Sequence, residues 1–127
     1  MNKSINVLLV EDSEADQFLF EAAVEETGQE VFVAKASDGE EAHNMLVSKE
    51  VLPRFIFLDI NMPRMSGYEF LASSESLLEQ ENISVYMLTS SGREQDKEQA
   101  MEYSCVKGYI EKPCPTDSLM SILMSTR

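Results

Sequence analysis

The sequence predicts an α/β fold: a five-stranded parallel sheet with helices on both faces. Three observations predict it. Strand-like and helix-like segments alternate strictly, five times over the 127 residues. Three of the strand segments, "INVLLV" (5–10), "RFIFLD" (54–59) and "ISVYML" (83–88), are nearly continuous apolar runs, as expected for strands buried on both faces. The other two, "EVFVAKA" (30–36) with its Lys35 and the short "VKGYI" (106–110), read as sheet edges.

The helices carry their own start and stop signals. Residues 14–27 are helix-like, and Gly28 stops them. "SDGEEAHNMLVSK" supplies a capping residue and a helix of about ten residues. Ser66 and Glu69 have capping-box spacing and open a third helix. "REQDKEQAMEY" (93–103) is a very polar helix, and "PTDSLMSILM" (115–124) is the last. Three central strands and two edges fit the order 2-1-3-4-5, a flavodoxin-like doubly wound sheet. In such a sheet the functional crevice lies at the carboxyl ends of the strands, where strands 1 and 3 diverge.

The whole length, 1–127, reads as one domain, large enough to bury a core. Acidic residues number 23 and basic residues 10, for a formal net charge of −13. That field repels phosphate backbones and argues against a nucleic-acid partner. Few basic residues are present to hold an anionic membrane surface, and no apolar run approaches the roughly 20 residues that cross a bilayer. The opening "MNKSINVLLVEDS" turns acidic too soon for a signal peptide. Two cysteines, Cys105 and Cys114, are too few for a disulfide framework; reduced thiols in the cytoplasm are expected.

Strand 1 ends in Glu11-Asp12, strand 3 in Asp59 and strand 4 in Thr89, while strand 5 leads into Lys112-Pro113. Three carboxylates, a hydroxyl and an ammonium therefore meet at one edge of the sheet. Three unpaired carboxylates would repel one another strongly. Lys112 offsets one charge, and a hard divalent cation, Mg²⁺ above all, suits the rest. With a metal beside it, Asp59 can act as a nucleophile that takes a phosphoryl group as an acyl phosphate. Such transfer needs mainly positioning and charge neutralisation. Thr89 can hydrogen-bond a phosphoryl oxygen, and small Ser90 leaves space beside it.

The stretches "LLVEDS", "LDINMPRMSG", "MLTSS" and "GYIEKP", in that order and on those elements, resemble the receiver domain of two-component response regulators, of the chemotaxis, CheY-like type. The resemblance covers essentially the whole chain. It implies Asp59 as phosphoacceptor, Asp12 and Asp59 as direct Mg²⁺ ligands, and Glu11 acting mainly through water. It implies that the backbone carbonyl of Asn61 completes the metal site. Thr89 matches the switch hydroxyl, Lys112 the phosphate-pairing lysine and Tyr109 the aromatic that changes rotamer. Asn61 and Ser91 match variable positions that tune phosphoryl lifetime. Lys112-Pro113 resembles the family's cis peptide. Glu11 departs mildly from the Asp often found there.

The resemblance further implies a histidine kinase or phosphotransfer protein as phosphodonor. "VEDSEAD" and "TSS" are similar to single-domain regulators paired with phytochrome-type kinases. The residues after Pro113 are all taken by the last helix, so no output domain is expected, and output must pass through another protein. The fourth helix, fifth strand and fifth helix are expected to form the face for a downstream protein or for a second copy of the chain. Met120 and Met124 there share an i, i+4 stripe. Phe18-Leu19-Phe20 cannot all face one core, so one of them is available to dock the phosphodonor. His43 lies off the apolar stripe of its helix and is expected to be solvated.

Rival functions are weaker. A phosphatase of the haloacid-dehalogenase type wants a second acid two residues after the nucleophile, where Asn61 is neutral. No Ser/Thr/Gly-rich loop follows strand 1, as a flavin-binding flavodoxin would need. A partner-binding receiver without phosphorylation is the remaining alternative. Beyond its own phosphorylation and dephosphorylation, no enzymatic activity is expected.

Overall fold

The computed structural model describes residues 5–62 and 64–125. Met1–Ser4 of the opening stretch, Pro63 of "LDINMPRMSG" and the last two residues lie outside the described residues. The elements run β1 (Ile5–Val10), α1 (Glu14–Thr27), β2 (Val31–Ala36), α2 (Gly39–Val47), β3 (Phe55–Leu58), α3 (Gly67–Gln80), β4 (Ser84–Thr89), α4 (Glu94–Met101), β5 (Val106–Glu111) and α5 (Thr116–Met124). All strand pairs are parallel, in the order β2-β1-β3-β4-β5. The expected fold and strand order are both present.

Alternation along the strands divides the core into two layers. Leu8, Val10, Ile56, Leu58, Val85 and Met87 face α2, α3 and α4. Val7, Leu9, Phe55, Phe57 and Leu88 face α1 and α5. Every residue of β3 is buried, which is why its sequence shows no polar alternation. On the second face Phe57 packs between Phe20 of α1, at a centroid distance of 4.9 Å, and Tyr86 of β4, at 5.8 Å.

The Gly28 stop, the α2 cap and the α3 capping box read from the sequence all form, and α1 gains an N-cap, Ser13, that the sequence reading did not name. Ser13 Oγ accepts from the Asp16 backbone N–H and opens α1, which closes on Gly28 in the left-handed region at φ 73°. Asp38 caps α2 by accepting from the Glu41 N–H at 2.9 Å. Ser66 and Glu69 form the reciprocal capping box of α3.

α4 is shorter than its polar run. Tyr103 lies beyond the helix, half-buried against the core, and Arg93 caps without a side-chain bond. His43 requires a correction. It is half-buried, and its Nδ1 shares a 2.8 Å hydrogen bond with the buried Ser74 Oγ of α3. Helices α2 and α3 pack side by side, so a position off the apolar stripe of α2 still faces a neighbour. In α5, Leu119 and Leu123 are buried and Met124 is exposed, while Met120 is half-buried, so the methionine stripe is only partly open.

Candidate functional site

The backbone ladder sets the site. The Asp59 N–H donates to the Val10 carbonyl at 3.1 Å, and the Glu11 N–H donates to the Ala36 carbonyl at 2.9 Å. The Lys112 N–H donates to the Thr89 carbonyl at 2.8 Å. Each bond continues a parallel pairing by one step past a strand, so neighbouring strands deliver Glu11, Asp59 and Lys112 to one rim. The Lys112–Pro113 peptide is cis.

Glu11, Asp12 and Asp59 each offer a carboxylate oxygen within 4.8 Å of the others. Glu11 and Asp59 are buried and Asp12 is exposed. Asp59 Oδ1 accepts from the Ile60 N–H at 2.8 Å, and its Oδ2 faces Lys112 Nζ at 3.3 Å. Glu11 Oε1 lies 2.6 Å from the same ammonium, and Glu11 Oε2 accepts from the Ser13 N–H. Burial pushes the Glu11 carboxyl above its usual range, although the Lys112 hydrogen bond pulls the other way. For Lys112, burial alone would lower the pKa. Hydrogen bonds to Asp16 and Glu11 and the charge of Asp59 outweigh it and raise the value, so the ammonium is charged at neutral pH.

Asp16 was absent from the sequence reading of the site. Its Oδ2 lies 2.8 Å from Lys112 Nζ. No local spacing marked it: Asp12 precedes α1 and the cap Ser13 is extended, so helical periodicity does not relate the two acids, and only the fold brings Asp16 to Lys112.

Thr89 is fully buried at the end of β4, and its Oγ1 accepts from the Ser91 N–H at 3.3 Å. The Ser91 hydroxyl points to α4, donating to Asp96 Oδ2 at 2.5 Å. Tyr109 is half-buried, and its hydroxyl donates to the Ser91 carbonyl at 2.9 Å. Asp96 also accepts from the Tyr68 hydroxyl of α3 at 2.9 Å and from Arg93 Nε at 3.2 Å. Ser91 thus joins Thr89, Tyr109 and α4 in one hydrogen-bonded chain. Asp96 and Tyr68 escaped the sequence reading because nothing local marks them. Asn61, two residues after Asp59, is exposed.

The donor set is oxygen only, with two sheltered carboxylates and one open to water. That chemistry suits a hard cation that keeps part of its water shell, as Mg²⁺ does. Burial pushes both thiols, Cys105 and Cys114, up to about 11, so neither is a poised nucleophile.

Comparison with known proteins agrees with this geometry. The family model "response regulator receiver domain" matches residues 7–124. The sensor histidine kinase CheAY of Helicobacter pylori is 27% identical over 92% of this chain and 14% of its own length. The response regulator Rre1 of a Synechocystis strain is 29% identical over 97% of this chain and 52% of its own. The chain therefore spans about half, or far less, of these curated relatives. The structure of the phosphorylated cyanobacterial phytochrome response regulator RcpA superposes with a TM-score of 0.79 at 29% identity, covering 95% of this chain and 89% of that one. Among the described residues, no helix is long and apolar enough to cross a membrane.

Proposed function

Because the chain belongs to the response regulator receiver domain family, which serves phosphorylation-based two-component signalling, we propose that Asp59 is its phosphoacceptor. One observation carries the reading. The oxygens of Glu11, Asp12 and Asp59 converge within 4.8 Å, and the Lys112 ammonium contacts both Glu11 and Asp59. A carboxylate nucleophile needs its own charge and that of the incoming phosphoryl group offset, and this arrangement does both.

Asp12 and Asp59, the Asn61 carbonyl and, through water, Glu11 are the residues that would hold Mg²⁺. Bound there, the ion would neutralise charge on the phosphoryl oxygens. Lys112 pairs with one phosphoryl oxygen, and the Thr89 hydroxyl turns from the Ser91 N–H to another. That turn releases one end of the chain through Ser91 to Tyr109 and α4, which couples phosphorylation to the α4/β5/α5 face. Asn61 and Ser91, beside the phosphoryl position, tune how long it persists.

The donor is a histidine kinase or a phosphotransfer protein, and likeness to RcpA favours a kinase of the phytochrome type. Leu19 on α1 is 53% exposed and lines the same pocket as Glu11 and Lys112, so it gives that donor an apolar contact beside the site. A downstream protein or a second copy of the chain takes the α4/β5/α5 face, where Met101 and Met124 are exposed. The chain acts as a receiver in the cytoplasm, without nucleic-acid or membrane binding and without turnover of other substrates.

The test is a titration with Mg²⁺ and beryllofluoride, a phosphoryl mimic, followed by amide NMR. Shifts should spread from Asp59 through Thr89 and Tyr109 to α4, and Asp59→Asn should abolish them. Equal shifts in both proteins, or none in either, would leave the site silent and favour a receiver that binds partners without phosphorylation.

A further inference from the structure

Lys112 carries three N–H donors, and three carboxylates share them: Glu11 Oε1 at 2.6 Å, Asp16 Oδ2 at 2.8 Å and Asp59 Oδ2 at 3.3 Å. The longest of the three is the contact to Asp59. Asp16 differs from its two companions. It comes from the first turn of α1 rather than from a strand end, and its carboxylate is not in the Glu11/Asp12/Asp59 cluster. A cation in that cluster competes with Lys112 for Glu11 and Asp59. It does not compete for Asp16. A lysine ammonium is a point charge on a flexible stem, so it stays where its partners hold it.

We infer that Asp16 is a positioning residue, the one carboxylate reserved for Lys112, which keeps the ammonium beside Asp59 when a metal occupies the acidic cluster. The inference rests on the proposed role of Asp59 and adds a residue to it. An acid in the first turn of α1 would also favour the helix dipole, whatever its side chain touched. A simple field effect would do something different again: an extra negative charge near the site repels an anionic phosphoryl group. Removing Asp16 then has opposite consequences under the two accounts. As a field source, its loss strengthens binding of an anion. As the anchor of Lys112, its loss weakens binding.

The experiment measures beryllofluoride affinity at saturating Mg²⁺ by amide NMR in the wild-type protein, Asp16→Ala, the near-isosteric Asp16→Asn, Lys112→Ala and the Asp16→Ala/Lys112→Ala double variant. Melting temperatures control for folding. Asp16→Ala should weaken binding about three- to fivefold, the scale of a half-exposed ion pair, with Asp16→Asn moving the same way. In the Lys112→Ala background the substitution should change nothing further. Unchanged or tighter binding in both single Asp16 variants overturns the inference, as does an equal loss with and without Lys112. Failure of the wild-type protein to respond would instead sink the phosphoacceptor reading itself.

Discussion

Gly67 shows how little room the site leaves. A Cβ added there would lie 2.3 Å from the Asp59 carbonyl oxygen and 3.0 Å from Ile60 Cα. Those are backbone atoms and cannot swing aside. The Gly67 N–H donates to the Ile60 carbonyl at 2.9 Å, so α3 begins in contact with the strand end that carries Asp59. Gly67→Ala must push the two apart. We expect it to cost about 1–3 kcal/mol in urea unfolding, as overpacking does. Because the displaced backbone is that of Asp59, beryllofluoride affinity should fall as well. A variant with wild-type stability and affinity would mean that the loop relaxes freely.

At the scale of elements, α4 is held in an unusual way. Its buried residues are Asp96 and Ala100, so a polar contact does much of what apolar packing does elsewhere. Hydrogen bonds from Ser91 and then Tyr68 hold the Asp96 carboxyl below its usual range. The unfolded chain therefore binds the proton more readily than the folded one. Stability from this contact is fully present above the usual carboxylate pKa and is lost as pH falls through the lower, folded value. Asp96→Asn should flatten that acid limb in melts recorded across the acid range. Tyr68→Phe removes one donor and should speed amide hydrogen exchange in α4 while leaving β1 and β3 protected. Exchange that accelerated evenly over the whole protein would contradict a local tether.

The whole molecule carries a formal charge of −13, and compactness concentrates it. Self-repulsion of this kind opposes folding and is screened by salt, with a Debye length of about 10 Å at 0.1 M. Raising sodium chloride from about 20 mM to about 500 mM should therefore raise the melting temperature. A flat or falling response in calorimetry would mean that ion pairs such as those of Lys112 outweigh the repulsion.

By itself the sequence determined the βα alternation, the strand order and the residues at the strand ends. Burial on both faces leaves an apolar run that local reading detects, and a parallel strand can end only at a defined rim. Glu11, Asp12, Asp59, Thr89 and Lys112 were legible for that reason. The tertiary structure alone decided what those residues touch. Asp16 reaches Lys112 across 96 positions of chain. Tyr68 meets Asp96, and His43 meets Ser74, only because helices distant in sequence pack side by side. Propensity and periodicity act within one element, whereas a hydrogen bond between elements depends on how each is rotated against the sheet, and packing sets that rotation.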